Sequence, residues 1–106
     1  MTVPLVNAPS RVRRGEVFEV KTLVAHPMET GFRPGMNGVL IPRDIIQRLR
    51  CRYDGADVLD LELSPAIAAN PFVSFHMRVE RSGMLELSWT GDNGFAASHR
   101  VAIAVE

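Results

Sequence analysis

An alternation of apolar and polar residues with a period of two runs through most of this chain, and it constrains the fold more than any other feature. From Glu16 to Ala25, Phe18, Val20, Thr22 and Val24 point one way while Glu19 and Lys21 point the other. Ile45, Leu49, Cys51 and Tyr53 then share a face, with Arg48, Arg50 and Arg52 opposite. Asp54-Gly55 suits the two positive φ angles of a type I′ hairpin turn. On the return, Leu59, Leu61 and Leu63 face inward, and Asp60 and Glu62 face outward across from the arginine row. Val73, Phe75, Met77 and Val79 make the next apolar face, with Ser74, His76, Arg78 and Glu80 outside. Ser82-Gly83 leads into Leu85, Leu87 and Trp89, and Gly91-Asp92-Asn93-Gly94 leads into Ala97, Val101, Ile103 and Val105. Apart from a short turn near Pro65 to Ala69, no segment carries a helical period.

With an N-terminal strand around Val3 to Val6, the pattern predicts an all-β protein of about seven antiparallel strands in one domain, residues 1–106. Turn signals at hairpin spacing make it an immunoglobulin-like β-sandwich, with one long loop after the second strand. Trp89, on a late strand, is expected as a core anchor.

Charge narrows the class of partner. Lysine plus arginine and aspartate plus glutamate each number 12, so the basic excess of a nucleic-acid binder is missing. No stretch approaches the roughly 20 apolar residues of a membrane-spanning helix. Cys51 is the only cysteine, which removes any internal disulfide. Met1 to Asn7 has no basic segment followed by an apolar one, so the expectation is no signal peptide and, on that ground alone, a cytoplasmic protein.

One region breaks the rhythm. His26 to Asp44 is rich in Gly and Pro and lacks alternation, yet carries Met28, Phe32, Met36, Val39, Leu40 and Ile41. Loops this long are uncommon in compact domains and tend to be functional or disordered. So much apolar surface argues against disorder and leaves two readings, a protein interface or an ordered flap over the chain's own core.

Catalytic sets are not apparent. Cys51 falls on the inward face of a strand, where a thiol behaves as a small hydrophobe, and His26, His76 and His99 lie far from it in sequence. A cysteine nucleophile is therefore a minor reading. His99 reads as a hydrogen-bonded or edge-strand residue. Gly31, Gly35 and Gly38 lack the following helix or Gly-Lys-Ser/Thr of a phosphate loop. His26, Met28 and Met36 are ligands that Cu(I) accepts, which gives the alternative reading of a small copper chaperone. The main reading assigns no catalytic residue, metal or cofactor.

Several segments together resemble the SoxZ family. Lys21-Thr22-Leu23-Val24-Ala25-His26-Pro27-Met28-Glu29-Thr30-Gly31 looks like the start of that family's signature. Leu40-Ile41-Pro42-Arg43, the Cys51-Arg52-Tyr53-Asp54-Gly55 hairpin and Ser64-Pro65-Ala66-Ile67-Ala68-Ala69-Asn70-Pro71-Phe72 follow in order. The resemblance implies a non-catalytic sandwich subunit that pairs with SoxY in a sulfur-carrier complex of thiosulfate oxidation. SoxY's flexible Gly-Gly-Cys-Gly-Gly tail would carry the sulfur intermediates, and other Sox enzymes would meet the complex transiently. The present chain ends Ile103-Ala104-Val105-Glu106 without such a tail, and Cys51 is not credited with the carrier role. The resemblance also moves the expected location to the periplasm, by co-export with a signal-bearing partner. The expected contact surface is His26, Pro27, Met28, Glu29, Gly31, Phe32 and Met36, joined by Asn70 and Pro71. On that view Met28→Asp weakens the heterodimer without unfolding the domain, and the isolated subunit self-associates through its exposed loop.

Overall fold

Strands whose side chains alternate between core and solvent must pair into sheets that close over one another, and the computed structural model, which describes residues 3–106, shows how. Eight strands form: β1 (Leu5–Asn7), β2 (Arg11–Val12), β3 (Val17–Leu23), β4 (Ile46–Tyr53), β5 (Ala56–Glu62), β6 (Phe72–Arg78), β7 (Gly83–Gly91) and β8 (Ala96–Val105). One sheet has the order β1-β3-β6 and the other β2-β8-β7-β4-β5. The all-β sandwich is as expected. It contains one more strand than the alternation reveals, because β2 has only two residues and pairs in parallel with β8. The long loop therefore follows the third strand. Met1 and Thr2, part of the N-terminal reading, lie outside the described residues.

The core sits between the sheets. Val20, Leu49, Cys51 and Leu85 are 0% exposed, and Leu87 and Trp89 are 1% exposed. Phe18, Thr22 and Val24 on the β3 side and Met77 and Val79 on the β6 side are buried as the alternation predicts. Burying each large apolar side chain contributes about 1.5–3 kcal/mol. Among the described residues no buried side-chain polar atom lacks a hydrogen-bond partner. Thr22 meets this requirement by donating its hydroxyl to the Val73 carbonyl at 2.9 Å.

Asp54 (φ 50°) and Gly55 (φ 84°) make the hairpin turn, with Tyr53 opposite Ala56. Two bulges correct the simple alternation. Between Ile46 and Arg48 the register against β7 shifts by one residue, so Ile45 and Ile46 are both buried, at 2% and 0% exposed. Between Cys51 and Arg52 the register against β5 also shifts, which carries Asp57 to the outer face. The arginine row is satisfied, though by a different pair of acids than Asp60 and Glu62. Asp60 accepts both bonds from Arg48, while Asp57 accepts from Arg50 (3.1 and 3.2 Å) and Arg52 (3.2 Å). Glu62 stands opposite Arg48 in register but takes no ion pair among the described residues.

Cys51 lies inside this core, and burial pushes its thiol up to about 12. Almost no thiolate exists at neutral pH, and the sulfur is out of reach of solvent. A disulfide reagent at pH 8 should therefore leave the folded protein unlabelled and label Cys51 stoichiometrically in denaturant. Fast labelling of native protein would contradict its burial.

A pinned finger as the candidate functional site

Between β3 and β4 the chain forms an extended, irregular hairpin. At its base the Glu29 and Asp44 backbones exchange two hydrogen bonds of 2.8 Å. Farther out, the Ile41 N–H donates to the Arg33 carbonyl (2.9 Å) and the Gly35 N–H to the Val39 carbonyl (2.7 Å). A 3-10 turn at Met36–Gly38 closes the tip, with Asn37 (φ 68°) and Gly38 (φ 73°) in the left-handed region. Gly31 is required where the arms pass closely: its φ is +89°, and a Cβ there would meet the Arg43 Cβ at 3.0 Å. Pro34 and Pro42 and the shift in pairing explain why no alternation marks this hairpin in the sequence. We call it the finger.

Its root is locked into the sandwich. The His26 N–H donates to Asn70 Oδ1 (3.0 Å), and the Asn70 N–H donates back to the His26 carbonyl (2.7 Å). The His26 ring is 5% exposed, and its edge meets the Phe95 ring with centroids 4.8 Å apart at 84°. Its Nδ1 accepts the Met28 N–H at 2.9 Å, which assigns the proton to Nε2, 3.6 Å from Asp44 Oδ1. Met28, held at φ 51°, buries its side chain to 4% exposure and accepts the Ile46 N–H on sulfur at 3.3 Å. A positive φ is uncommon for such a residue, and these contacts offset its strain.

A second clamp fastens the other arm. Asp92, in the turn between β7 and β8, accepts two bonds of 2.9 Å from the Arg43 guanidinium, one of 3.1 Å from the Ile45 N–H and one of 2.5 Å from Gln47 Nε2. The Arg43 bonds, helped by Ile45 and Gln47 and opposed by burial, hold the Asp92 carboxyl below its ordinary value. Gly91 permits the close approach, since a Cβ there would lie 2.4 Å from the Ile45 carbonyl oxygen. Within the finger, Arg33 grips Glu29 with bonds of 3.0 and 2.8 Å and lowers its pKa in the same way.

The structure therefore divides the expected contact residues. His26 and Met28 are corrected from surface to core, where they plug the end of the sandwich. Pro71 is also buried, and its carbonyl accepts the Val24 N–H at 3.3 Å. Asn70 is exposed in outline, but its side chain is committed to the His26 backbone. Glu29 is paired with Arg33, Gly31 serves the crossing of the arms, and Pro27 is exposed at the root. Phe32 (79%) and Met36 (91%) face solvent, joined by Val39 (70%) and Leu40 (55%). The flap reading holds for the root, whose His26 and Met28 cover the core, while the outer part exposes apolar side chains to solvent.

The copper reading fails on the same geometry. His26 Nδ1 and the Met28 sulfur already accept backbone N–H bonds inside the core, whereas Met36 stands at the exposed tip. A second apolar patch escaped the sequence reading. Leu5, Leu23 and Phe72 lie side by side across β1, β3 and β6 on the outer face, at 65%, 37% and 60% exposure. Leu23 falls on the solvent parity of β3, so it could have been found. The Arg43–Asp92 clamp spans 49 residues and left no local signal.

Placing a carboxylate at the Met28 position buries an unpaired charge, so Met28→Asp should cost roughly 3 kcal/mol or more of stability. Met36→Asp should stay within about 0.5 kcal/mol of wild type, with both read from urea unfolding. Because the Asp92 pKa is depressed in the folded protein, its contribution is present above the ordinary 3.8 and lost as pH falls through the lower folded value. The stability gap between wild type and Asp92→Asn should accordingly be full at pH 6 and close below pH ~3.8. A gap that persists in acid would show that the clamp acts without its charge.

Comparison with known proteins adds the following. No curated protein matches the chain significantly. Among solved structures, superoxide reductase (neelaredoxin) from Ignicoccus hospitalis is 21% identical with a TM-score of 0.69, covering 98% of this chain and 80% of that one. The sulfur carrier protein SoxY from Chlorobium limicola f thiosulfatophilum is 15% identical with a TM-score of 0.67, covering 98% and 79%. A CARDB domain from Pyrococcus furiosus, solved in complex with di-metal ions, is 15% identical with a TM-score of 0.56, covering 100% and 94%. At these identities the likeness is one of fold. The family model described as Sulphur oxidation protein SoxZ matches residues 6–102, nearly the whole length, and the chain belongs to the SoxZ family.

Proposed function

We propose that this chain is the non-catalytic subunit of a sulfur-carrier heterodimer and that it docks on SoxY through the outer part of the finger. The observation that carries this reading is a stiff arm with a greasy surface. Phe32, Met36, Val39 and Leu40 are all more than half exposed, on a segment fixed at its root by two independent clamps. A disordered loop would have to be ordered on binding; a pinned one presents its anchors with that cost already met. Aromatic residues and methionine are enriched where protein interfaces bury their centres.

Membership of a sulphur oxidation family supports the pathway, and the buried, protonated Cys51 supports the division of labour. A thiol that carries sulfur must reach several enzymes, and this one reaches solvent nowhere. In the proposed complex the partner's tail cysteine is loaded, oxidised and unloaded, while this subunit supplies a docking scaffold. Working in the periplasm after co-export with SoxY belongs to the same proposal.

Two measurements test it. Phe32→Asp combined with Met36→Asp should raise the Kd for a cysteine-tailed SoxY at least about 30-fold, the effect of losing roughly 2 kcal/mol at an interface centre. The melting temperature should not change. Intact-mass analysis of the complex after loading should place every sulfur adduct on SoxY and none on this chain. An unchanged Kd would remove the finger from the interface, and an adduct on Cys51 would end the non-catalytic reading.

A further inference from the structure

On one flank of the sandwich the smaller sheet ends at β6 and the larger at β5. The two edge strands do not meet. A groove of about 510 Å³ separates Ala56 and Val58 of β5 from Met77 and Arg78 of β6, with Tyr53 and Val79 also lining it. The inward residues Val58, Leu59 and Leu61 of β5 are only half-buried, whereas Leu49 and Cys51 on the adjacent β4 are fully covered. The β5 side of the larger sheet is thus less covered than the β4 side.

The edge beside this gap is open as well. Val24 donates to the Pro71 carbonyl, so the two-residue period turns the backbone groups of Val73, Phe75 and Met77 toward β3. Those of Ser74 and His76 point away from β3, and among the described residues no strand pairs with β6 on that side. This edge has few of the usual protections, neither a bulge nor a proline, and its one charge is Arg78. At that end of the groove Arg14 pairs with Glu80 at 3.4 Å, while Arg78 and Arg81 have no carboxylate partner among the described residues.

We propose that this flank binds a single extended strand of another protein, added antiparallel to β6. Alternate apolar side chains of that strand fill the groove over Val58 and Met77, and a carboxylate near its N-terminus meets Arg78 and Arg81. A second copy paired antiparallel through its own β6 lacks that carboxylate, since residues 64–79 hold no Asp or Glu. A free acidic segment supplies it. The site is separate from the finger and requires no SoxY.

The test uses the isolated chain and two peptides, Ac-Asp-Asp-Thr-Val-Thr-Val-Thr-Val-NH2 and the same peptide with Lys-Lys in place of Asp-Asp. In a nuclear magnetic resonance titration, the acidic peptide should slow amide exchange at Ser74 and His76 and bind at least tenfold more tightly than the basic one. Arg78→Glu with Arg81→Glu should reverse that preference. Ser74→Pro, which removes an N–H not used by β3, should abolish binding while leaving the Trp89 fluorescence of the folded domain. Protection of Ser74 and His76 by self-association at high protein concentration would overturn the proposal in favour of a second copy. It would also be overturned by peptide binding that survives Ser74→Pro or shifts only finger residues, or by unprotected amides at millimolar peptide.

Discussion

A sheet of five strands covered by a sheet of three cannot be closed everywhere by strand pairing, and this mismatch shapes the molecule. Over β4 and β7 the cover is complete, and there the core is driest, with Leu49, Cys51, Leu87 and Trp89 packed between the layers. Toward one end, where β3 stops and β4 begins, the chain itself supplies the missing cover. His26 and Met28 fold inward as a plug, and the strain at Met28 is offset by bonds that satisfy two buried backbone N–H groups. Along the β5 flank no described segment supplies it, and a groove remains.

The finger follows from the plug. A segment that must dive into the core at residue 28 and return to the sheet at residue 45 has both ends fixed. The residues between can then pair with one another across the gap. Asp92 ties the returning arm to the turn before β8, a second anchor beside the plug. Exposed Phe32 and Met36 thus stand on a segment whose two arms are hydrogen-bonded to each other and to the sandwich. The structural likeness to superoxide reductase shows how little such a frame says about chemistry, since function resides in sites grafted on the fold.

The outer face of the larger sheet has a quieter role. Arg48, Arg50 and Arg52 would form a basic stripe on a bare strand, but Asp60 pairs with Arg48 and Asp57 is shared by Arg50 and Arg52 across the hairpin. Exposed pairs of this kind contribute little to stability. Their effect is to set a carboxylate beside each guanidinium of the row.

What could be read in the one-dimensional pattern was whatever depends on neighbours two residues apart. Phe18, Val20, Leu49, Leu87 and Trp89 declare their burial through parity, and Asp54-Gly55 declares its turn through the φ angles it tolerates. The same parity fails at Ile46 and Asp57, because a bulge is set by packing against a partner strand and not by the strand's own residues. Inside the His26–Asp44 segment apolarity was visible but its direction was not. Met28 and Met36 are the same residue type in the same loop, yet one is 4% and the other 91% exposed. What separates them is where Ile46, Phe95, Asn70 and Asp92 arrive from distant parts of the chain, and only the closed sandwich brings those groups to the root of the finger.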